Sequence, residues 1–159
     1  MTDSYIGEEP AEHRRFARYL TALETVAETD EAKLVAAVLR DEDATMAQSA
    51  IVRHIDHRAA RLLADPRFTA WAHTLTGVIA ERDFLTRRLQ EWILLRAITL
   101  GETWAPEELT TASDWCQHTA ATGQAATSPE ALILLAEHGR TRRVRNAATR
   151  GLQHPAHPS

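Results

Sequence analysis

Apolar residues recur along this chain at intervals of three and four, and nowhere do they alternate over the length of a strand. That spacing puts side chains on one face of a helix, so the chain is committed to packing helices against helices. Phe16, Tyr19, Leu20, Leu23 and Val26 form one stripe, which predicts a first helix from Pro10 to about Ala27. Leu34, Val35, Val38 and Leu39 form the next, with Thr29 as its cap and Asp30 and Glu31 in its first turn, where carboxylates suit the exposed amide groups. The acidic turn Asp41-Glu42-Asp43 ends it. Ile51, Val52, Ile55, Ala59, Leu62 and Leu63 share one face of a longer helix over 44–64.

Asp65-Pro66 reads as the cap and first position of a fourth helix carrying Phe68, Trp71, Leu75, Val78 and Ile79. Asp83 starts a fifth, which stops at Gly101. Pro106 opens a sixth, holding Leu109, Ala112, Trp115 and Cys116. Ser128-Pro129-Glu130 starts a seventh that ends at Gly139, and Thr141 caps an eighth with Val144, Ala147, Ala148 and Leu152 inside. The expectation is an all-α protein of seven or eight helices, with neighbours mostly antiparallel because the connections are short.

The fifth helix stands apart. From Trp92 to Leu100 it is apolar nearly all round, which predicts burial on more than one side. Trp92, Ile93, Leu95 and Ile98 are expected to be almost fully enclosed, by the same chain or by a second copy in a homodimer.

With 159 residues, one domain over 1–153 is expected, followed by a flexible tail over 154–159. The lone cysteine, Cys116, excludes an intrachain disulfide. The start of the chain is polar and acid-rich, without the pattern of a secretory signal, and the apolar runs are too short for a bilayer. A cytoplasmic location without membrane association is the expectation.

Two segments resemble helical-hairpin repeats of the HEAT type. The clearer covers 129–152: Pro129-Glu130-Ala131-Leu132-Ile133-Leu134-Leu135, a turn at Gly139, then Val144-Arg145-Asn146-Ala147-Ala148 and Leu152. The fainter runs from Leu34-Val35-Ala36-Ala37-Val38-Leu39 through the acidic turn to Met46, Ser49 and Ala50, with Met46-Ala47 where the later segment has Val144-Arg145. The resemblance implies a short stack of antiparallel helix pairs, and such arrays mostly serve as binding scaffolds. An irregular helical bundle fits the same periodicity.

Little in the sequence points to catalysis. His54 and His57 lie three apart on one helix, a spacing that could place two ligands together, but Arg53, Arg58 and Arg61 surround them and disfavour a cation. They read as solvated histidines. Asp114, Cys116 and His118 suggest a thiol or zinc site, yet on a helix Cys116 points away from the other two. It reads as a small core residue. No catalytic, metal or cofactor residues are therefore assigned. Trp71, Trp92, Trp104 and Trp115 stand at core spacings; a pocket near Trp71, Trp92 and Trp115 is the alternative, in which case the protein is an enzyme or small-ligand binder.

The strongest surface feature is charge segregation. Arg140, Arg142, Arg143, Arg145 and Arg150 follow the last acid, Glu137. They could dock an acidic protein or, less favourably, nucleic acid, since the chain carries a net charge of −4 and Lys33 is its only lysine. A solvated end cap is the plainer reading. The sequence thus favours a non-enzymatic interaction or regulatory module with an acidic protein partner.

Overall fold

A computed structural model describes residues 10–123, 126 and 128–154. Asp3, Glu8 and Glu9 and the tail from Pro155 lie outside the described residues. Among the described residues there are nine α-helices and no strand: α1 (Ala11–Thr25), α2 (Glu31–Leu39), α3 (Ala44–Leu62), α4 (Phe68–Val78), α5 (Asp83–Leu100), α6 (Pro106–Thr110), α7 (Asp114–Thr122), α8 (Pro129–His138) and α9 (Arg142–Gln153). None is long and apolar enough to cross a membrane. The chain forms two compact units, one of residues 10–62 and 67–86, the other of 63–66 and 87–154. α5 contributes its first residues to the first unit and the rest to the second.

In the first unit α3 packs on α1 and α2, and α2 on α4. Ala47, Ala50 and Ala59 are wholly buried on α3, and their small side chains let neighbouring helices approach closely while Ile51, Ile55, Phe68 and Leu75 fill the space between. The acidic turn is put to use. Tyr19 Oη donates to Asp41 Oδ2 at 2.6 Å, tying α1 to the α2–α3 corner, and Asp43 Oδ1 accepts the Met46 amide at the start of α3.

In the second unit α8 and α9 pair tightly and α7 packs across them. Gly139 sits at the α8–α9 corner. A Cβ there would lie 2.6 Å from the Leu135 carbonyl oxygen and 2.8 Å from Val144 Cγ1, so the corner closes only around glycine. Gln117, fully buried, joins the pieces: its Nε2 donates to the Leu109 and Thr110 carbonyls at the end of α6, and its Oε1 accepts the Arg140 amide. α5 stops at Gly101, whose φ of 70° reverses the chain while Glu102 N donates to the Ala97 carbonyl.

Arginine finishes several helices. Carbonyls at and just beyond a helix end lack intrahelical donors, and the guanidinium fork supplies them at Leu39, the last residue of α2, and at positions one to three residues past the ends of α3, α6 and α8. Arg82 reaches Leu39 O, Arg96 reaches Leu63 O and Asp65 O, Arg140 reaches Ala112 O, and Arg145 reaches Gly139 O.

Five local expectations change. Leu152, expected inside the last helix with Val144, Ala147 and Ala148, is exposed at the end of α9. The sixth helix is two, because Ser113 breaks it: its side chain caps α7 by accepting from Cys116 N, and Glu91 holds it there through both Oγ and N. α2 is preceded by Asp30, not Thr29, and Asp30 makes no side-chain cap. Asp65 and Pro66 lie in a turn, and α4 begins only at Phe68. On α5, Trp92, Leu95 and Ile98 are buried as expected, but Ile93 is 44% exposed; Leu94 takes the inner position. The apolar circumference is thus covered on most sides and open at Ile93 and Leu100.

Truncating Leu95, 1% exposed, to alanine should cost about 2–5 kcal/mol through transfer and cavity terms. The same truncation at Ile93 should cost under about 1 kcal/mol. Urea denaturation of the two variants measures the difference, and equal losses would contradict this placement.

Candidate functional site

The least ordinary side chain in the molecule is a carboxylate in the core. Glu31 opens α2 at 6% exposure, and two further helices, α3 and α4, meet it. Trp71 of α4 donates its indole N–H to Oε2 at 3.0 Å. His54 Nε2 lies 2.6 Å from the same oxygen, and Arg58 contacts both oxygens at 3.3 Å. His54 and Arg58 stand four apart on α3, so one helical face delivers both donors. Burial alone would favour the neutral acid; the hydrogen bonds from His54, Trp71 and Arg58, with the Arg58 charge, outweigh it and hold the carboxyl at about 2. Glu31 is therefore ionised and acceptor-only, which makes His54 Nε2 the donor.

His54 thus corrects the sequence reading: it is buried, not solvated, because α2 packs on α3 and brings the Glu31 carboxylate against it, outside the Ile51/Ile55 stripe. His57 is exposed. Among the described residues no group of three or more His, Cys, Asp or Glu side chains is placed to hold a metal ion.

The outer side of the same α3 face borders a cleft of about 620 Å³ between α1 and α3. α1 and the residue after it give an apolar wall, Leu20, Leu23 and Val26, with Glu24 at its edge. α3 gives a basic wall, Arg53, His54, His57, Arg58 and Arg61, extended by Arg67. Arg58 and Arg67 are engaged by acids outside the lining, Arg58 by Glu31 and Arg67 by Glu28 at 2.9 Å. Arg53 and Arg61 meet no carboxylate among the described residues. In the sequence this cleft shows only as a basic ridge, Arg53, His57 and Arg61, four apart in turn.

The C-terminal arginines separate by role. Arg140 lies 3.7 Å from Asp114 and bonds the Ala112 carbonyl; Arg145, half-buried, bonds Gly139 O. Arg142, Arg143 and Arg150 are exposed and form no ion pair among the described residues. They share one face of α9 with Asn146 and Thr149, opposite the buried Val144, Ala147 and Ala148.

The remaining candidates do not assemble. Cys116 is fully buried, and burial, aided by the Glu91 charge, pushes its thiol far above the usual range, so it carries no thiolate at neutral pH. Asp114 faces solvent beside Arg140, and His118 is half-buried. Trp92 and Trp115 meet edge-to-face at 5.3 Å, with the Arg88 guanidinium 3.4 Å over Trp115. Trp71 belongs to the other unit, where it borders a smaller cleft of about 250 Å³ beside Glu31 and Arg58.

No protein-family model, curated protein or solved structure matches this chain.

Glu31 makes the first unit sensitive to acid. Its carboxyl holds the proton less tightly when folded than when unfolded, so the stabilisation is present above about pH 4.5 and is lost as pH falls toward 2. The shift corresponds to about 3 kcal/mol, of which about 2 kcal/mol is gone by pH 3. Stability of Glu31→Gln should therefore fall by about 2 kcal/mol less than that of the wild type between pH 6 and pH 3 in urea titrations. Parallel pH profiles would show that Glu31 is not held as described.

Proposed function

We propose that this protein is a non-enzymatic interaction module that captures an acidic protein partner on the outer face of α9. The observation that carries this reading is the state of Arg142, Arg143 and Arg150: exposed, on one helical face, and without a carboxylate among the described residues. Desolvating such a face is costly unless the incoming surface brings acceptors, and the guanidinium fork suits a carboxylate bidentately. Asn146 and Thr149 add neutral hydrogen-bonding groups between the charges. The platform is stiff. Thr141 caps α9, the inner residues are packed, and Arg145 fastens the corner to Gly139, so little conformational freedom is lost on docking. The paired helices α8 and α9 agree with a HEAT-like scaffold, an architecture suited to presenting such faces.

A protein partner is favoured over nucleic acid because a net charge of −4 opposes a long polyanion, whereas a short acidic segment meets only the local field. A cytoplasmic, regulatory role fits this reading.

The test is the triple reversal R142E/R143E/R150E, which spares Arg140 and Arg145 because those two hold helix ends. Folding should change by no more than about 0.5 kcal/mol per site. Pull-downs from the native source should recover acidic proteins with wild type, less so with added salt, and should lose them with the variant. A folded variant that captures the same proteins equally well would end this reading, and salt-sensitive retention on duplex DNA in place of proteins would favour the nucleic-acid alternative.

A further inference from the structure

We infer that the α1–α3 cleft of the first unit is a binding site for a small molecule bearing a linear polyphosphate. This is independent of the α9 face, which lies in the other unit. The cleft, at about 620 Å³, has the size of small-ligand sites rather than of macromolecular grooves. Its basic wall is a ladder. Arg53, His57 and Arg61 follow one another at four-residue steps along α3, so their backbone positions span about 12 Å at 1.5 Å per residue. A single carboxylate or orthophosphate answers one rung; a chain of linked phosphates answers all three, with an acceptor oxygen for each fork.

The charge balance supports the same ligand. Glu24 is the only carboxylate in the lining, and Arg53 and Arg61 meet no carboxylate among the described residues. Arg58 and Arg67 also line the cleft but are held by Glu31 and Glu28. The helix that carries the ladder is fixed from behind: the buried Glu31 carboxylate holds His54 and Arg58 of α3, which sets the rotation of the helix and so the face on which Arg53, His57 and Arg61 stand. Opposite them, Leu20 and Val26 are half-buried and offer an apolar rest for the organic part of a phosphate ester.

The experiment is calorimetric titration of the full chain with inorganic tripolyphosphate, with orthophosphate as the length control. Tripolyphosphate should bind at least tenfold more tightly than orthophosphate, and added salt should weaken it. The R53Q/R61Q variant should bind it at least tenfold more weakly. Both side chains are exposed, so the variant should keep its helical circular dichroism; the single R61Q supplies the same readout if the double variant does not fold. The R142Q/R143Q/R150Q variant should bind tripolyphosphate like the wild type, which separates this site from the α9 face. Absence of tripolyphosphate binding, equal affinity in R53Q/R61Q, equal affinity for orthophosphate, or binding of phosphoinositide-containing vesicles alone would each overturn the inference.

Discussion

The first unit depends on one ionised carboxylate that has been taken out of water. Glu31 is tolerated in the core only because α3 and α4 bring it an imidazole, a guanidinium and an indole N–H. Losing any one leaves a buried acceptor short of donors, whose desolvation is then uncompensated. The group therefore specifies how three helices meet more sharply than apolar packing does, since leucine and isoleucine accept many rotations about a helix axis. Gln117 has the same part in the second unit, with uncharged chemistry: it donates to the end of α6 and accepts from the start of the α9 corner. A chain with one cysteine has no disulfide to fix its helix pairs, and these two buried polar hubs do that work by geometry.

The helices themselves were legible from spacing and punctuation. Ser128, Thr141, Gly101 and Gly139 act where local chemistry places them, because caps and reversals are decided by residues within one turn. No glycine or proline marks the break between α6 and α7 at Thr110-Thr111-Ala112. Ser113-Asp114 was its sign, and the hold that Glu91 keeps on Ser113 comes from 22 residues away.

Burial of His54 was illegible for a related reason. A helix touched on two sides has a wider inner arc than its aliphatic stripe suggests, and the partner that satisfies the histidine lies 23 residues earlier. Of the C-terminal arginines, the cluster was visible but its division was not: Arg145 is half-buried with the Gly139 carbonyl in reach, whereas Arg142 is exposed. Lys33 is the only lysine among 18 basic residues, and at the end of α3 a forked donor reaches two carbonyls where a lysine presents a single point of charge.

The sealing of Cys116 has one further consequence. It is the only thiol in the chain and lies wholly inside the second unit, where solvent does not reach it. A thiol-reactive dye can meet it only when that unit opens, so the labelling rate is a clock for that opening. The first unit contains no thiol and is silent in such a measurement. Nature has left a single latent reporter in one half of the molecule, able to time its breathing separately from the other without any change to the sequence.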